Sequence, residues 1–151
     1  MANTQAMCTS FKGEILTATH NFGTAPVRAS STADTFKAAL YLASATVNAS
    51  TTAYSSTGEV TGTNYSAGGV SVTNATAPAT SGTTAYWTPS ASIVYTNVTL
   101  TTAFDAVLIY NSTQSNKSVS VHTFGSQTVT AGTFTLTMPT NDASTGLIRI
   151  A

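Results

Sequence analysis

From Thr35 to the end of the chain, apolar and polar residues recur with a period of two. That spacing puts alternate side chains on opposite faces of an extended backbone, so it commits the chain to β-sheet. Thr133 to Met138 is the sharpest case, with Phe134, Leu136 and Met138 on one side and Thr133, Thr135 and Thr137 on the other. Phe36 to Leu42, Val70 to Val72, Thr84 to Thr88, Val94 to Leu100, Val119 to Thr123 and Leu147 to Ile150 read as further strands. Within Val94 to Leu100 the alternation assigns Val94, Thr96, Val98 and Leu100 to one face. Ala106 to Tyr110 is continuously apolar, the pattern of a strand covered on both faces. Gly68-Gly69, Pro78, Gly82, Pro89 and the polar run Asn111 to Asn116 punctuate these segments as turns.

Seven or eight short strands in one domain's length predict an all-β fold, an antiparallel β-sandwich or jelly roll. Residues 1–28 read differently. Ser10 is placed to cap a short helix over Phe11 to Leu16, and the chain then becomes irregular through Pro26. The expected organisation is an N-terminal helical or extended arm, 1–28, followed by a β domain, 29–151.

Charge separates this chain from ordinary domains. Charged residues make up 7% of it, against about 25% in a typical soluble domain. Ser and Thr fill about a third of the positions, and the formal net charge is zero. With a hydrophobic fraction of 42% the chain has enough apolar surface to fold. Its surface, however, has little electrostatic repulsion to keep copies apart, which points to a subunit that an assembly covers. The five cations, Lys12, Arg28, Lys37, Lys117 and Arg149, are scattered, and this excludes the basic patch that nucleic acid requires. No apolar run reaches transmembrane-helix length, so no membrane partner is expected. Residues 1–7 lack the basic and apolar regions of a signal peptide, which predicts cytosolic synthesis without processing.

Chemistry finds little foothold. The single cysteine, Cys8, leaves no internal disulfide. One Cys and two distant histidines, His20 and His122, fall short of a zinc ligand set. The acids Glu14, Asp34, Glu59, Asp105 and Asp142 form no calcium-binding run. A glycosidase pair of Glu59 and Asp105 has nothing in the sequence to favour it over turn and strand-edge roles. There is no G-x-S-x-G elbow, phosphate-binding loop or dinucleotide fingerprint. The expectation is a protein without catalytic, metal or cofactor residues. Tyr86 and Trp87, with Tyr54, Tyr65 and Tyr95, are the residues from which a sugar-stacking platform would be built. Core or cross-strand aromatic pairing is the commoner use of such residues.

Met7-Cys8-Thr9-Ser10-Phe11-Lys12, Glu14-Ile15-Leu16 and His20-Asn21-Phe22 resemble a family of small virion structural proteins of tailed bacteriophages. Phe36-Lys37-Ala38-Ala39-Leu40-Tyr41, Thr51 to Tyr54, Gly58 to Gly62, Tyr65 to Gly69 and Leu147 to Ala151 carry the same resemblance. It implies a non-enzymatic component of the virion, made in the bacterial cytoplasm. Phage decoration (cement) proteins of this size are commonly sandwiches or jelly rolls. They sit as homotrimers on the outer capsid surface, bound between capsomers of the major capsid protein. On that reading Phe11, Ile15, Leu16 and Phe22 are the apolar anchors by which the arm reaches a neighbour, or else they cap the sandwich core. The alternative is a tail, collar or fibre module contacting the host surface and binding sugar there.

Overall fold

The computed structural model describes residues 16, 34–74 and 76–151. The expected 11–16 helix and the 28/29 boundary lie outside these residues, apart from Leu16, which is helical and half-buried. The fold is all-β and antiparallel. The seven strands are β1 (Phe36–Leu42), β2 (Val70–Val72), β3 (Ala79–Ser81), β4 (Thr84–Trp87), β5 (Ile93–Asn111), β6 (Lys117–Leu136) and β7 (Ile148–Ile150). They form a four-stranded sheet, β2-β1-β5-β6, and a three-stranded sheet, β3-β4-β7. The chain groups into two compact units. Residues 34–74 and 91–137 make one, which holds the larger sheet. Residues 76–90 and 138–151 belong to the other, which holds the smaller.

The larger unit is dominated by one hairpin. Segments that the alternation separates into four short strands are joined here into β5, of 19 residues, and β6, of 20. Such lengths cannot stay straight in a small domain. Phe124 and Phe134 lie ten residues apart on β6, roughly 33 Å if the strand ran straight. Their ring centroids are nevertheless 5.3 Å apart. The hairpin therefore bends back on itself, and the pairing register shifts on both sides of Phe104 mark the bend. Its outer half carries Tyr95, Val98 and Leu100 and lies against β1, with the Tyr95 hydroxyl donating to the Ala38 carbonyl at 2.8 Å. Phe104, fully buried, meets Phe134 and Phe124 edge-on at 5.0 and 6.0 Å. One bent sheet thus supplies both layers of a sandwich-like core.

The bend also explains burial that a simple two-residue period does not. In β1, Ala38 to Tyr41 are all buried, because both faces of the strand are covered. On one face Ala39, Tyr41, Ala106, Leu108 and Tyr110 form a cluster closed by Ala45, Val47 and Tyr54 of the long 43–69 connection. The connection runs back along the edge of β1, with Val60 N–H donating to Leu40 O at 3.0 Å and Leu42 N–H to Gly58 O at 2.9 Å.

Two bulges correct the phase expected for the outer half. Asn97 has a left-handed φ of 52°, and the register slips between Tyr95 and Val98. The slip puts Tyr95 on the buried face with Val98 and Leu100, whereas Val94 is 42% exposed. On β6 the matching irregularity is Ala131, with a φ of 46°, whose N–H donates to Thr99 Oγ1 at 3.0 Å. An alanine there bears a Cβ penalty that glycine lacks. Ala131→Gly is expected to stabilise the chain by up to about 1 kcal/mol, read as a higher urea midpoint with an unchanged slope. Gly69, with a φ of 70°, is required: a Cβ there would fall 1.7 Å from Ala38 O.

In the smaller unit β4 is the central strand. Trp87 stands opposite Ile148, and Tyr86 stands between Ala79 and Arg149. Thr88 is buried, and its Oγ1 accepts from Leu147 N–H at 2.9 Å, which sets the chain into β7. Strand β3 falls in the stretch that Pro78 and Gly82 mark only as a turn.

Candidate functional site

Two features of the larger unit stand out. The first is a carboxylate held in a cage of phenols. Glu59 is 6% exposed. Its Oε2 accepts from the Tyr54 hydroxyl at 2.6 Å, and its Oε1 accepts from the Tyr65 hydroxyl at 2.7 Å and from Gly68 N–H at 2.8 Å. Three donors satisfy the buried carboxylate, the arrangement that makes such burial tolerable. Tyr65 also accepts from Leu40 N–H at 3.0 Å, so its oxygen links Glu59 to β1. Tyr110 donates to Gly68 O at 2.8 Å, and Tyr41 donates to Ser55 O. Ring stacking closes the cage: Tyr54 on Tyr110 at 4.7 Å and Tyr65 on Tyr95 at 5.9 Å.

The phenols respond electrostatically. Burial pushes Tyr41, Tyr54, Tyr65, Tyr95 and Tyr110 above the ordinary phenol range. For Tyr54 and Tyr65 the hydrogen bond to Glu59 adds to the effect, and for Tyr95 and Tyr110 the nearby Glu59 charge does. The cage is thus a structural lock that pins the 54–68 segment to β1 and β5. Tyr65→Phe is expected to cost about 2 kcal/mol, because it also strips Leu40 N–H of its acceptor. Tyr54→Phe should cost about 1 kcal/mol. Urea denaturation of the two variants side by side checks the order.

The second feature is an uncharged threonine face. No residue from 60 to 104, or from 118 to 141, carries a formal charge. Between them those runs cover the whole outer half of the hairpin. Its exposed positions include Val94, Thr96, Thr101, Thr130, Thr133 and Thr135. Strand β6 is also an edge: among the described strands its one neighbour in the sheet is β5. Its first residues are capped by the 43–69 connection, through an Ala53–Lys117 bridge and Ser118 N–H donating to Thr52 O at 3.1 Å. Just beyond that cap a groove of about 380 Å³ opens between Asn48, Ala49 and Thr51 and the Ser118–Val121 stretch.

The residues singled out from sequence take these places. Trp87 is 6% exposed, and its indole N–H donates to Thr76 O at 2.9 Å. Tyr86 is half-buried beside Arg149. Tyr54, Tyr65 and Tyr95 belong to the cage and not to an open platform. Phe11, Ile15 and Phe22 lie outside the described residues. His122 is half-buried on β6, with its pKa lowered by burial, and its Nε2 is 2.9 Å from Ser120 Oγ. Among the described residues no carboxylate is hydrogen-bonded to this imidazole in the way that orients a catalytic histidine.

The acids are dispersed. Glu59 is in the cage, and Asp34 accepts from Asn111 Nδ2 at 2.6 Å. Asp142 accepts from Ser144 and Thr145 N–H at 2.7 Å each, bonds that hold its carboxyl below the usual range. Asp105 sits half-buried on β5. Among the described residues no group of three or more His, Cys, Asp or Glu side chains converges as a metal site. Sequence reasoning missed the cage because Tyr54, Glu59 and Tyr65 announce only a polar connection. The spacing of two tyrosines around one acid is the signal that was there.

The chain matches no protein-family model, and neither curated proteins nor solved structures give a match.

Proposed function

We propose that this chain is a non-enzymatic virion structural protein of a tailed bacteriophage, most specifically a decoration protein that binds between capsomers and stabilises the head. The observation that carries the reading is the uncharged threonine face on the bent hairpin. Threonine hydroxyls offer hydrogen bonds with little side-chain entropy to lose. A face without charges also meets a partner without the desolvation that buried ions demand. A decoration protein binds the assembled lattice and not the isolated coat subunit, so its binding energy stabilises the lattice by linkage. The resemblance of the 7–22 and 36–69 segments to small phage virion proteins supports the same reading. In this role the partners are the major capsid protein and further copies of the chain, with a homotrimer as the working form on the outer capsid surface.

Antibody labelling of purified virions, imaged by electron microscopy, tests the proposal. Dense label over the head is expected, and particles lacking the protein should release their genome at a lower temperature. Label confined to the tail or neck would overturn the decoration role and favour an adhesion or connector module.

A further inference from the structure

We propose that the outer end of β6, Gly132–Leu136, is a homotypic docking edge that pairs antiparallel with the same segment of a second copy. The proposal stands apart from any address on a virion.

An edge strand presents a row of unpaired N–H and C=O groups, and proteins ordinarily blunt such edges with charges, prolines, bulges or covering segments. Strand β6 is blunted unevenly. Its start is covered at Lys117 and Ser118. Register irregularities interrupt it near Val119, between Thr123 and Gln127, and at Ala131. From Gly132 to Leu136 β6 has no extra residue, and the bulge opposite this stretch lies on β5. No charge and no proline falls within it.

The segment is also complementary to itself. A two-fold axis through Phe134 sets Thr133 against Thr135, Thr135 against Thr133, Phe134 against Phe134 and Gly132 against Leu136. The two Thr–Thr pairs and the aromatic pair are all favourable cross-strand combinations. Antiparallel pairing keeps Phe134 and Leu136 on the core side in both copies. Those side chains are half-exposed in the single chain, and the second copy's strand covers their open flank. Because neither copy carries a charge from 118 to 141 and the chain's net charge is zero, no electrostatic penalty opposes the approach. A five-residue ladder is smaller than a standard interface of about 1,600 Å², so the expected association is weak, on the order of 10–100 μM. A self-pairing edge of this strength contributes mainly when many copies are held side by side.

Sedimentation equilibrium of the full chain across this range is expected to show the mass rising with concentration, doubling where the smaller species is a single chain. Thr135→Lys should hold the smaller mass throughout, whereas Thr80→Lys, on the exposed edge strand β3, should behave as the parent. In a Cys8→Ser background, Thr133→Cys mixed with Thr135→Cys should cross-link under oxidation, and either variant alone should not. Near-UV circular dichroism confirms that the variants are folded. A parent of constant mass up to 500 μM would overturn the proposal, as would a rise in mass that survives Thr135→Lys. Cross-linking of either cysteine variant alone, without preference for the mixture, would overturn the register.

Discussion

Glu59→Ala is expected to lower the unfolding free energy by about 3–5 kcal/mol, the largest single-residue loss anticipated at the cage. The substitution removes an acceptor from three donors at once: the Tyr54 and Tyr65 hydroxyls and Gly68 N–H. Each buried donor left unpaired costs about 1–3 kcal/mol. Tyr54 lies nearest solvent and regains water, so it stands at the low end. The Gly68 amide and the Tyr65 hydroxyl lie deeper. Tyr65 loses its acceptor while still holding Leu40 N–H, so the disturbance reaches β1. Against this runs the desolvation of the carboxylate, which a buried ion bears and alanine does not. Three charge-assisted bonds at 2.6–2.8 Å outweigh it. Glu59→Gln separates the two terms: it keeps the shape and one acceptor oxygen but gives up the charge, and should lose about half as much. Urea denaturation at pH 7 reads both variants. A Glu59→Ala midpoint equal to the parent's would mean that desolvation cancels the bonds, and the cage would not be the lock described above.

Much of the larger sheet was legible because its cause is local. Phe36 to Leu42, Val70 to Val72 and Thr133 to Leu136 alternate strongly, and these residues lie in β1, β2 and β6. The turn at residues 112–116 was marked by its polar run. What the pattern hid is where strands join and change phase. Alternation runs unbroken through Asn97, so the bulge there is silent in sequence, but it lapses over 101–105 and 124–132, and such a lapse reads in sequence as the end of a strand. In the structure each lapse falls on register shifts inside one strand. That is why four short strands became one bent hairpin, and the silent bulge is why Val94 and Tyr95 exchanged faces.

The cage was hidden for a different reason. Its members lie far apart in sequence, from Leu40 to Tyr110, and only the closed fold brings Tyr95 over Tyr65 and Tyr110 over Tyr54. A polar connection rich in Ser, Thr and Gly looks like exposed loop, and an acid within it looks solvated. The two tyrosines that flank Glu59 at i−5 and i+6 have no helical or strand period to single them out. By contrast the threonine face follows directly from the missing charges, which composition alone already flagged. Its location on the outer half of the hairpin needed the bend.

Raising the pH tests the whole cage at once, and a cooperative alkaline unfolding is expected. An unfolded tyrosine ionises near pH 10. In the folded chain burial holds Tyr65 and Tyr95 protonated well beyond that, helped by the hydrogen bond to Glu59 at Tyr65 and by the Glu59 charge at Tyr95. The folded chain therefore keeps protons that the unfolded chain gives up. Their contribution to stability is fully present below pH 10 and is lost as pH rises from there toward the folded values. Each such group removes about 1.4 kcal/mol per pH unit, so the two together remove about 2.7. By pH 12 the loss is about 5 kcal/mol, comparable to the entire stability of many domains. Tyr41, Tyr54 and Tyr110 shift in the same direction and steepen the fall. Phenolate absorbance should consequently stay low through pH 10 and then rise in one steep step, together with loss of the near-ultraviolet circular dichroism. In Tyr65→Phe the fall of stability with pH should be shallower, because one of the two buried phenols that couple unfolding most strongly to pH is gone. A gradual rise centred at pH 10, with the dichroism unchanged, would show that the phenols are open to water and that the cage does not hold in solution.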